Sequence, residues 1–337
     1  MKKIAIVTDA WHPQINGVVT TLSQTVRALC ALGHKVSIIT PLEFNSVPCP
    51  SYPEITLALT TTRTVEKKLL SFEPDCVHIA TEGPLGWAAR RVCIKRNFPF
   101  SSSYHTKFPE YVRMRWPISL NLLYAVVRRF HSAAARTMVA TKTLRDELDM
   151  RGFTNLVQWS RGVNTELFKP IVKIEGNAIN PIFIYMGRVA VEKNIEAFLD
   201  LELPGSKCVV GDGPALRMLK SRYPEVHFTG YKKGKELAGL LAHADVFVFP
   251  SKSDTFGVVL LEAMASGLPV AAFPVTGPLE TVVNGVNGYL DHDLQKAALK
   301  ALEVSPEKCR KFALEQTWES CTRQFLENLV IAPKPLL

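Results

Sequence analysis

The chain opens on a unit that leaves few folds available. Lys3 to Thr8 is a short apolar run, Asp9 to Gly17 a polar loop, and Val18 to Leu32 has helical spacing until Gly33 stops it. Lys35 to Thr40 is a second apolar run. A strand, a helix and a strand in that order form a crossover, which is the start of a doubly wound α/β sheet. Open sheets of this kind place ligands at the carboxyl ends of their strands, so the loops after each strand hold the candidate site residues.

The same rhythm runs through most of the chain. Val65 to Phe72 reads as helix, Cys76 to Ala80 as strand, and a helix follows through Arg96. Ser101 to Tyr104 is strand, ending in His105. Glu82 and His105 both follow strands and both qualify by position. The stretch from Pro41 to Thr62, with four prolines, is loop-like with room for short strands. Composition changes over residues 170 to 181, where the linker is expected. Pro181 to Met186, Lys207 to Val210 and Val226 to Thr229 open a second set of strands, and Pro306 to Leu329 reads as helical. At 337 residues, 47% of them hydrophobic and 21% charged, the chain has the material for two ordinary domains.

The densest chemistry lies in Pro250 to Glu262, PSKSDTFGVVLLE. It joins the apolar run Asp245 to Phe249 to a helix expected over Gly257 to Ser266. A helix that begins straight after a strand points free backbone N–H groups at one place, a ready site for phosphate. Asp254 and Glu262 bracket the turn and can face one crevice, where a carboxylate takes ribose hydroxyls. Arg188 and Lys193 stand on the loop and first helical turn after the strand ending at Met186, each able to donate charge-assisted hydrogen bonds to a diphosphate. Gly211 and Gly213 permit a tight turn near a ligand. No G-x-G-x-x-G occurs, which argues against an ordinary NAD enzyme.

These residues carry a resemblance. Asp254 to Glu262 resembles the E-x7-E signature of retaining GT-B glycosyltransferases of family 4 (the group 1 transferases of mannosyl, glucosyl and sulfoquinovosyl type), with Asp in place of the first Glu. The continuation EAMASGLPVAAFPVTGPLETV, the G-R-x-x-x-x-K of Gly187 to Lys193, and SYHT ending at Thr106 are similar to the family as well. The resemblance covers nearly the whole chain. It implies an α/β GT-B fold of two doubly wound, Rossmann-like domains with the donor site in the cleft between them. The domains are expected at 1–170 for the acceptor and 181–312 for the nucleotide sugar, with a helix at 313–330 packing back on the first. The expected donor-binding residues are Gly17, Arg188, Lys193, Gly211, Tyr231, Asp254, Phe256, Gly257, Val258, Val259 and Glu262. Glu82 and His105 are expected on the acceptor side, and His105, Asp254, Arg188 and Lys193 in catalysis. The implied reaction moves a hexose from a GDP-mannose or UDP-glucose type donor to a lipid or lipid-linked glycan, with retention and therefore an α-linkage. Because Arg, Lys and a helix N-terminus supply positive charge, no metal or other cofactor is expected. The shorter Asp254 bears on donor sugar identity more than on reaction type.

The net charge of +9 is uneven. Residues 1–170 hold 22 basic against 12 acidic side chains, and the remainder 18 against 19. Between Lys107 and Arg145 the only acid is Glu110. On a helical wheel Leu123, Val127, Phe130 and Ala134 fall together, with Arg129 and Arg136 opposite. With Trp116, residues 107–145 form a candidate surface for anionic lipid headgroups; the plainer alternative is a solvated helix face. Nucleic acid is a poorer partner, since basic and aromatic residues do not alternate. No run of 18 apolar residues occurs and the N-terminal apolar run is too short for a signal peptide. Seven scattered cysteines without a C-x-x-C pair suit a reducing compartment. A cytoplasmic enzyme, peripheral at the inner membrane face, is the expected setting. The rivals are a soluble or polysaccharide acceptor, a GT-B-shaped UDP-sugar epimerase, and an inactive scaffold.

Overall fold

A computed structural model of the chain describes residues 1–49, 52–171 and 181–333. Most of the expected linker, and the tail after residue 333, lie outside the described residues. Two units result: Met1–Ser160 with Trp318–Leu337, and Arg161–Thr317. The division falls ten residues before the expected domain end at 170. Val163 pairs with Thr317 and donates its N–H to the Gln316 carbonyl at 2.9 Å, which ties the chain after Ser160 to the second unit.

The first unit runs β1 (Lys3–Val7), α1 (Gly17–Ala31), β2 (Lys35–Ile39), β3 (Ser46–Cys49), β4 (Tyr52–Ala58), α2 (Thr62–Phe72) and β5 (Cys76–Ile79). It continues through α3 (Pro84–Lys95), β6 (Phe100–Tyr104), α4 (Phe108–Arg115), α5 (Leu120–His131), β7 (Arg136–Val139), α6 (Lys142–Asp149) and β8 (Leu156–Gln158). Six strands form a parallel sheet in the order β2-β1-β5-β6-β7-β8. Its register sets Ile4 opposite Val36 on one side and Cys76 on the other. The Pro-rich stretch supplies an antiparallel pair, β3 with β4, outside that sheet.

Local chemistry explains where these helices start. The Asn16 side chain accepts the Val19 N–H at 2.9 Å, capping α1. Thr141 does the same for Leu144 at the start of α6. Helix α3 opens with Pro84 after an uncapped Gly83, and its free N–H groups are met from a distance in sequence by Asp9. One face of the sheet is filled by Val7, Val77, Ile79, Leu85, Val92 and Phe130, all fully buried. The other holds Ile4, Ile6, Leu22, Trp159 and Phe325.

The second unit runs β9 (Ile182–Met186), α7 (Glu196–Leu199), β10 (Ser206–Val210), α8 (Leu216–Arg222), β11 (His227–Gly230), α9 (Gly234–His243) and β12 (Val246–Phe249). Then come α10 (Val258–Ala265), β13 (Val270–Ala272), α11 (Thr276–Thr281), β14 (Gly288–Leu290), α12 (Leu294–Ala301) and α13 (Pro306–Leu314). Its parallel sheet has the order β11-β10-β9-β12-β13-β14. Phe183, Val209, Val246, Val248, Phe198 and Ala297 fill the core, all completely buried.

The expected continuous helix from Pro306 to Leu329 is broken between Leu314 and Trp318, and its second half, α14 (Trp318–Asn328), belongs to the first unit. There Cys321 and Phe325 are buried beside Trp159. The Gln324 side chain accepts the Ser160 N–H at 2.7 Å, and Asn328 donates to the Gln158 carbonyl at 2.6 Å.

Candidate functional site

In the second unit the chain leaves β9 towards β10 and β11, then returns to the far side of β9 to form β12. The order therefore reverses between β9 and β12, and the loops leaving those two strands lie at the switch point, where open α/β sheets place ligands. Arg188 to Asn194 follows β9, and Pro250 to Gly257 follows β12. Three side-chain contacts stitch these loops together. Asn194, in the left-handed conformation at φ +53°, donates to the Pro250 carbonyl at 3.0 Å. Ser253 donates to the Glu192 carbonyl at 3.2 Å. Lys193 Nζ donates to Asp254 Oδ1 at 2.5 Å. The other oxygen, Asp254 Oδ2, is buried and accepts no hydrogen bond.

Arg188 stands at the same edge, its Nε 3.9 Å from the carboxylate of the buried Glu192. Three of the expected donor cations and acids, Arg188, Lys193 and Asp254, are thus brought to one place. Helix α10 presents its N-terminus beside them. Its cap is Gly257 at φ +83°, a backbone state that an L side chain adopts only with strain, so Val258 rather than Gly257 is the first helical residue. Gly211 follows β10, where an added Cβ would lie 1.8 Å from the Gly187 carbonyl oxygen; two backbones run too close there for any side chain. Tyr231 follows β11 and is exposed. The Phe256 side chain is buried. Val258 and Val259 form the first turn of α10, and Glu262 lies on the second. Burial pushes the Glu262 carboxyl up to about 7.

The first unit repeats the arrangement. Its strand order reverses between β1 and β5, and the loops after them carry Asp9 and Glu82. Gly17 is the first residue of α1 and is exposed. Asp9 is buried: its carboxylate accepts the N–H groups of Leu85 at 2.9 Å and Gly86 at 3.2 Å and the Thr81 hydroxyl at 3.0 Å. Burial outweighs these bonds and raises its carboxyl to about 6. Glu82 Oε1 is 3.0 Å from His131 Nε2. His105 follows β6, buried, with its ring 5.6 Å from that of Trp159 in an edge contact. Gly17, Glu82 and His105 thus stand at the carboxyl end of the first sheet. Asp9, Ser102 and His131 were missed by the sequence reading. Position after β1 was an available signal for Asp9; nothing in sequence marks His131, which comes from the end of α5.

The basic stretch differs from its helical wheel in three ways. Arg136 opens β7 and donates to the Glu327 carbonyl at 2.7 Å, so it shares no helix face with Arg129. Lys107 is buried and paired with Glu147 at 2.5 Å, so neither is a solvated charge. Leu123 is only partly buried, and the packed face of α5 is Tyr124, Val127, Phe130 and His131. Around this face, Phe108, Met114, Trp116, Ile118, Leu122 and Val126 are exposed, among Arg113, Arg115, Arg128 and Arg129.

Residues 15–167 match the family described as Glycosyltransferase Family 4, and residues 180–304 match Glycosyl transferases group 1. A GDP-mannose-dependent alpha-mannosyltransferase of Mycobacterium tuberculosis (strain CDC 1551 / Oshkosh) is 30% identical over 315 residues, covering 86% of this chain and 83% of that protein. The chain is a member of glycosyltransferase family 4. This glycosyltransferase is also 32% identical over 289 residues to sulfoquinovosyl transferase SQD2 of Arabidopsis thaliana, covering 77% of the chain but only 56% of that relative's length. An alpha-monoglucosyldiacylglycerol synthase of Streptococcus pneumoniae is 25% identical over 371 residues, with coverage of 96% and 83%. Sucrose-phosphate synthase from Thermosynechococcus elongatus shares the fold, with a TM-score of 0.79 at 21% identity over 97% of this chain and 98% of that one. The fold of this family 4 transferase is α/β of the GT-B class, and the protein is a hexosyltransferase.

An Asp-x-Asp triplet stands at Asp291-His292-Asp293. Its carboxylates are engaged: Asp293 caps α12 by accepting the Gln295 and Lys296 N–H groups, and Asp291 pairs with Lys296 at 2.9 Å. Among the described residues, no group of three or more His, Cys, Asp or Glu side chains is placed to hold a metal ion, and no helix is long and apolar enough to cross a membrane. All seven cysteines are free thiols, five of them buried.

Proposed function

We propose that this transferase moves a hexose, with retention, from a GDP-mannose or UDP-glucose type donor to a lipid or lipid-linked glycan, forming an α-linkage. The observation that carries the donor half is the group of Lys193, Asp254 and Arg188 at the switch point of the second sheet, beside the N-terminus of α10. Arg188 and Lys193 take the diphosphate with the backbone N–H groups of Gly257 to Val259. As the glycosidic bond breaks, the leaving nucleoside diphosphate gains negative charge. Cations and N–H dipoles fixed beforehand stabilise that charge without reorganising. This is the chemistry for which other transferases recruit a metal, and it supports a metal-independent reaction. Glu262 takes ribose hydroxyls and Asp254 faces the sugar ring. Gly17, Gly211 and Tyr231 complete the donor contacts. His105 and Glu82 serve the acceptor side.

The lipid half is supported by the surface of α4 and α5. Six large apolar side chains exposed within 19 residues are unusual on a water-facing helix pair, and the arginines among them suit anionic headgroups. A diacylglycerol appears in the name of one relative, the Streptococcus synthase, which favours the same reading. Of residues 107–145, the part proposed for peripheral attachment is therefore Phe108 to Arg129.

The deciding experiment is a thermal-shift screen against GDP-mannose, UDP-glucose, GDP, UDP and ADP. Each positive is then followed by mass spectrometry of products with dioleoylglycerol and phosphatidylinositol in mixed micelles. One nucleotide raising the melting temperature fixes the donor class. Absence of any shift refutes the donor site.

A further inference from the structure

The polar chain behind Glu82 is buried where apolar packing would be expected. Ser102 lies in the middle of β6 and His131 at the end of α5, and both are completely buried. Thr137 Oγ1 is 3.0 Å from Ser102 Oγ, Ser102 Oγ is 2.9 Å from His131 Nδ1, and His131 Nε2 is 3.0 Å from Glu82 Oε1. The imidazole is held on its remaining sides by rings. Phe130 lies 5.0 Å away at 84°, Tyr104 at 5.9 Å and Phe153 at 6.1 Å. Asn155 fixes the His131 backbone by donating to its carbonyl at 3.0 Å.

The direction of the proton at one end of this chain is determined. A bare Nε2 lone pair facing a carboxylate would repel it, so Nε2 carries hydrogen whether the ring is neutral or charged. In the neutral ring Nδ1 then accepts from Ser102, and Ser102 accepts from Thr137, so every group is satisfied. Glu82 is thereby gripped by one oxygen. Its other oxygen, Oε2, has no partner among the described residues, and the side chain is 21% exposed at the carboxyl end of the sheet. An acid serving only the core would engage both oxygens; this one is anchored at one and presents the other.

We propose that His131, backed by Ser102 and Thr137, is a positioning residue that fixes Glu82 so that its free oxygen accepts a hydrogen bond from the acceptor hydroxyl. This rests on the acceptor-side reading of Glu82 given above. A carboxylate on a loop otherwise samples several rotamers, and holding it in one removes an entropy cost from the acceptor complex. His131 itself touches no substrate.

The test separates acceptor from donor. Transfer is measured for wild type, His131→Leu, His131→Gln and Ser102→Ala with the donor found by thermal shift and with dioleoylglycerol or phosphatidylinositol in micelles. Gln keeps an N–H near the place of Nε2, whereas Leu does not. His131→Leu is expected to raise the acceptor KM about tenfold while donor KM and donor-induced thermal shift stay unchanged; Gln restores it to within about threefold. In 15N-labelled protein the His131 Nε2–H resonance is expected, and expected to move in Glu82→Gln. Should His131→Leu not fold, Ser102→Ala kinetics and the resonance carry the test. Equal acceptor KM in the Leu and Gln variants, or a ring with no proton on Nε2, overturns the proposal alone. Wild type that transfers sugar to neither lipid overturns the lipid-acceptor reading and takes this proposal with it.

Discussion

Lys193 and Asp254 form an ion pair at 2.5 Å between the two loops that meet at the switch point of the second sheet. Both side chains are about one-fifth exposed, so neither is lost in the core nor free in solvent. Asp254 thereby fixes the ammonium at the place proposed above for the donor diphosphate. Removal of the lysine is therefore expected to do more than remove a surface charge. Lys193→Ala should weaken nucleotide-sugar binding by about 1.5–3 kcal/mol, the range for a hydrogen bond to a charged group. Titration calorimetry with the donor measures this, and an unchanged affinity would place the diphosphate elsewhere.

Glu262 gives a pH prediction. Its carboxyl is raised to about 7, so it is mostly protonated at pH 6 and mostly ionised at pH 8. In the proposed donor complex the ribose hydroxyls donate to the ionised form and favour it. Donor affinity should accordingly rise between pH 6 and 8, with proton uptake by buffer during binding. A nucleotide sugar rather than a free diphosphate is the proper ligand, because it has no phosphate titrating in this range. Glu262→Gln should flatten the profile and lower turnover strongly; a slope that survives the substitution excludes Glu262 as its source.

Asp9 predicts the pH dependence of stability. Its native carboxyl is raised from 3.8 to about 6, so between these values the folded protein binds more protons than the unfolded chain. Its contribution then declines as pH rises through that window, by on the order of 3 kcal/mol in all. Asp9→Asn does not titrate. The melting temperature of wild type minus that of the variant should fall from pH 4 to pH 6.5, whatever the absolute cost of the substitution. A difference that rises instead would show that the backbone bonds to Leu85 and Gly86 dominate.

Gly257 at φ +83° predicts a cost to folding as well as to function. Gly257→Ala forces a left-handed L-residue and sets a Cβ 3.2 Å from Leu260 and Phe249 carbons. Chemical denaturation should show a loss of roughly 1–2 kcal/mol.

The exposed apolar side chains of α4 and α5 predict vesicle binding. Trp116→Ser with Leu122→Ser should abolish sedimentation with phosphatidylglycerol vesicles at low salt while leaving donor-induced thermal shift intact. Sedimentation that persists would move the membrane surface to another part of the molecule.

The alternation of strand and helix was readable because it depends on local periodicity and on glycine stops, as at Gly33. That Arg188, Lys193 and Asp254 come to one edge was readable because each lies just after a strand, on loops that a doubly wound sheet brings side by side. The failures have a different cause. Lys107 and Glu147 are forty residues apart, and only the fold reveals that they neutralise each other. Arg136 carried a helical pattern by coincidence, because the wheel ran past the end of α5 into β7. Nothing about His131's place in the sequence, within a basic stretch, distinguishes it. Its role depends on Ser102 and Glu82 arriving from two other elements, and no spacing in the chain announces such a meeting.

The crossing of α14 into the first unit has a consequence for the order in which the protein is made. Ribosomes deliver the chain from its amino end, and units fold as they emerge. Trp318 to Asn328 follows the whole of residues 161–317, yet its Cys321 and Phe325 complete the core around Ile4, Ile6 and Trp159. The half that is begun first is therefore finished last. Throughout synthesis of the second half, the newborn first sheet lacks the α14 side of that core and leaves apolar surface open to non-native contact.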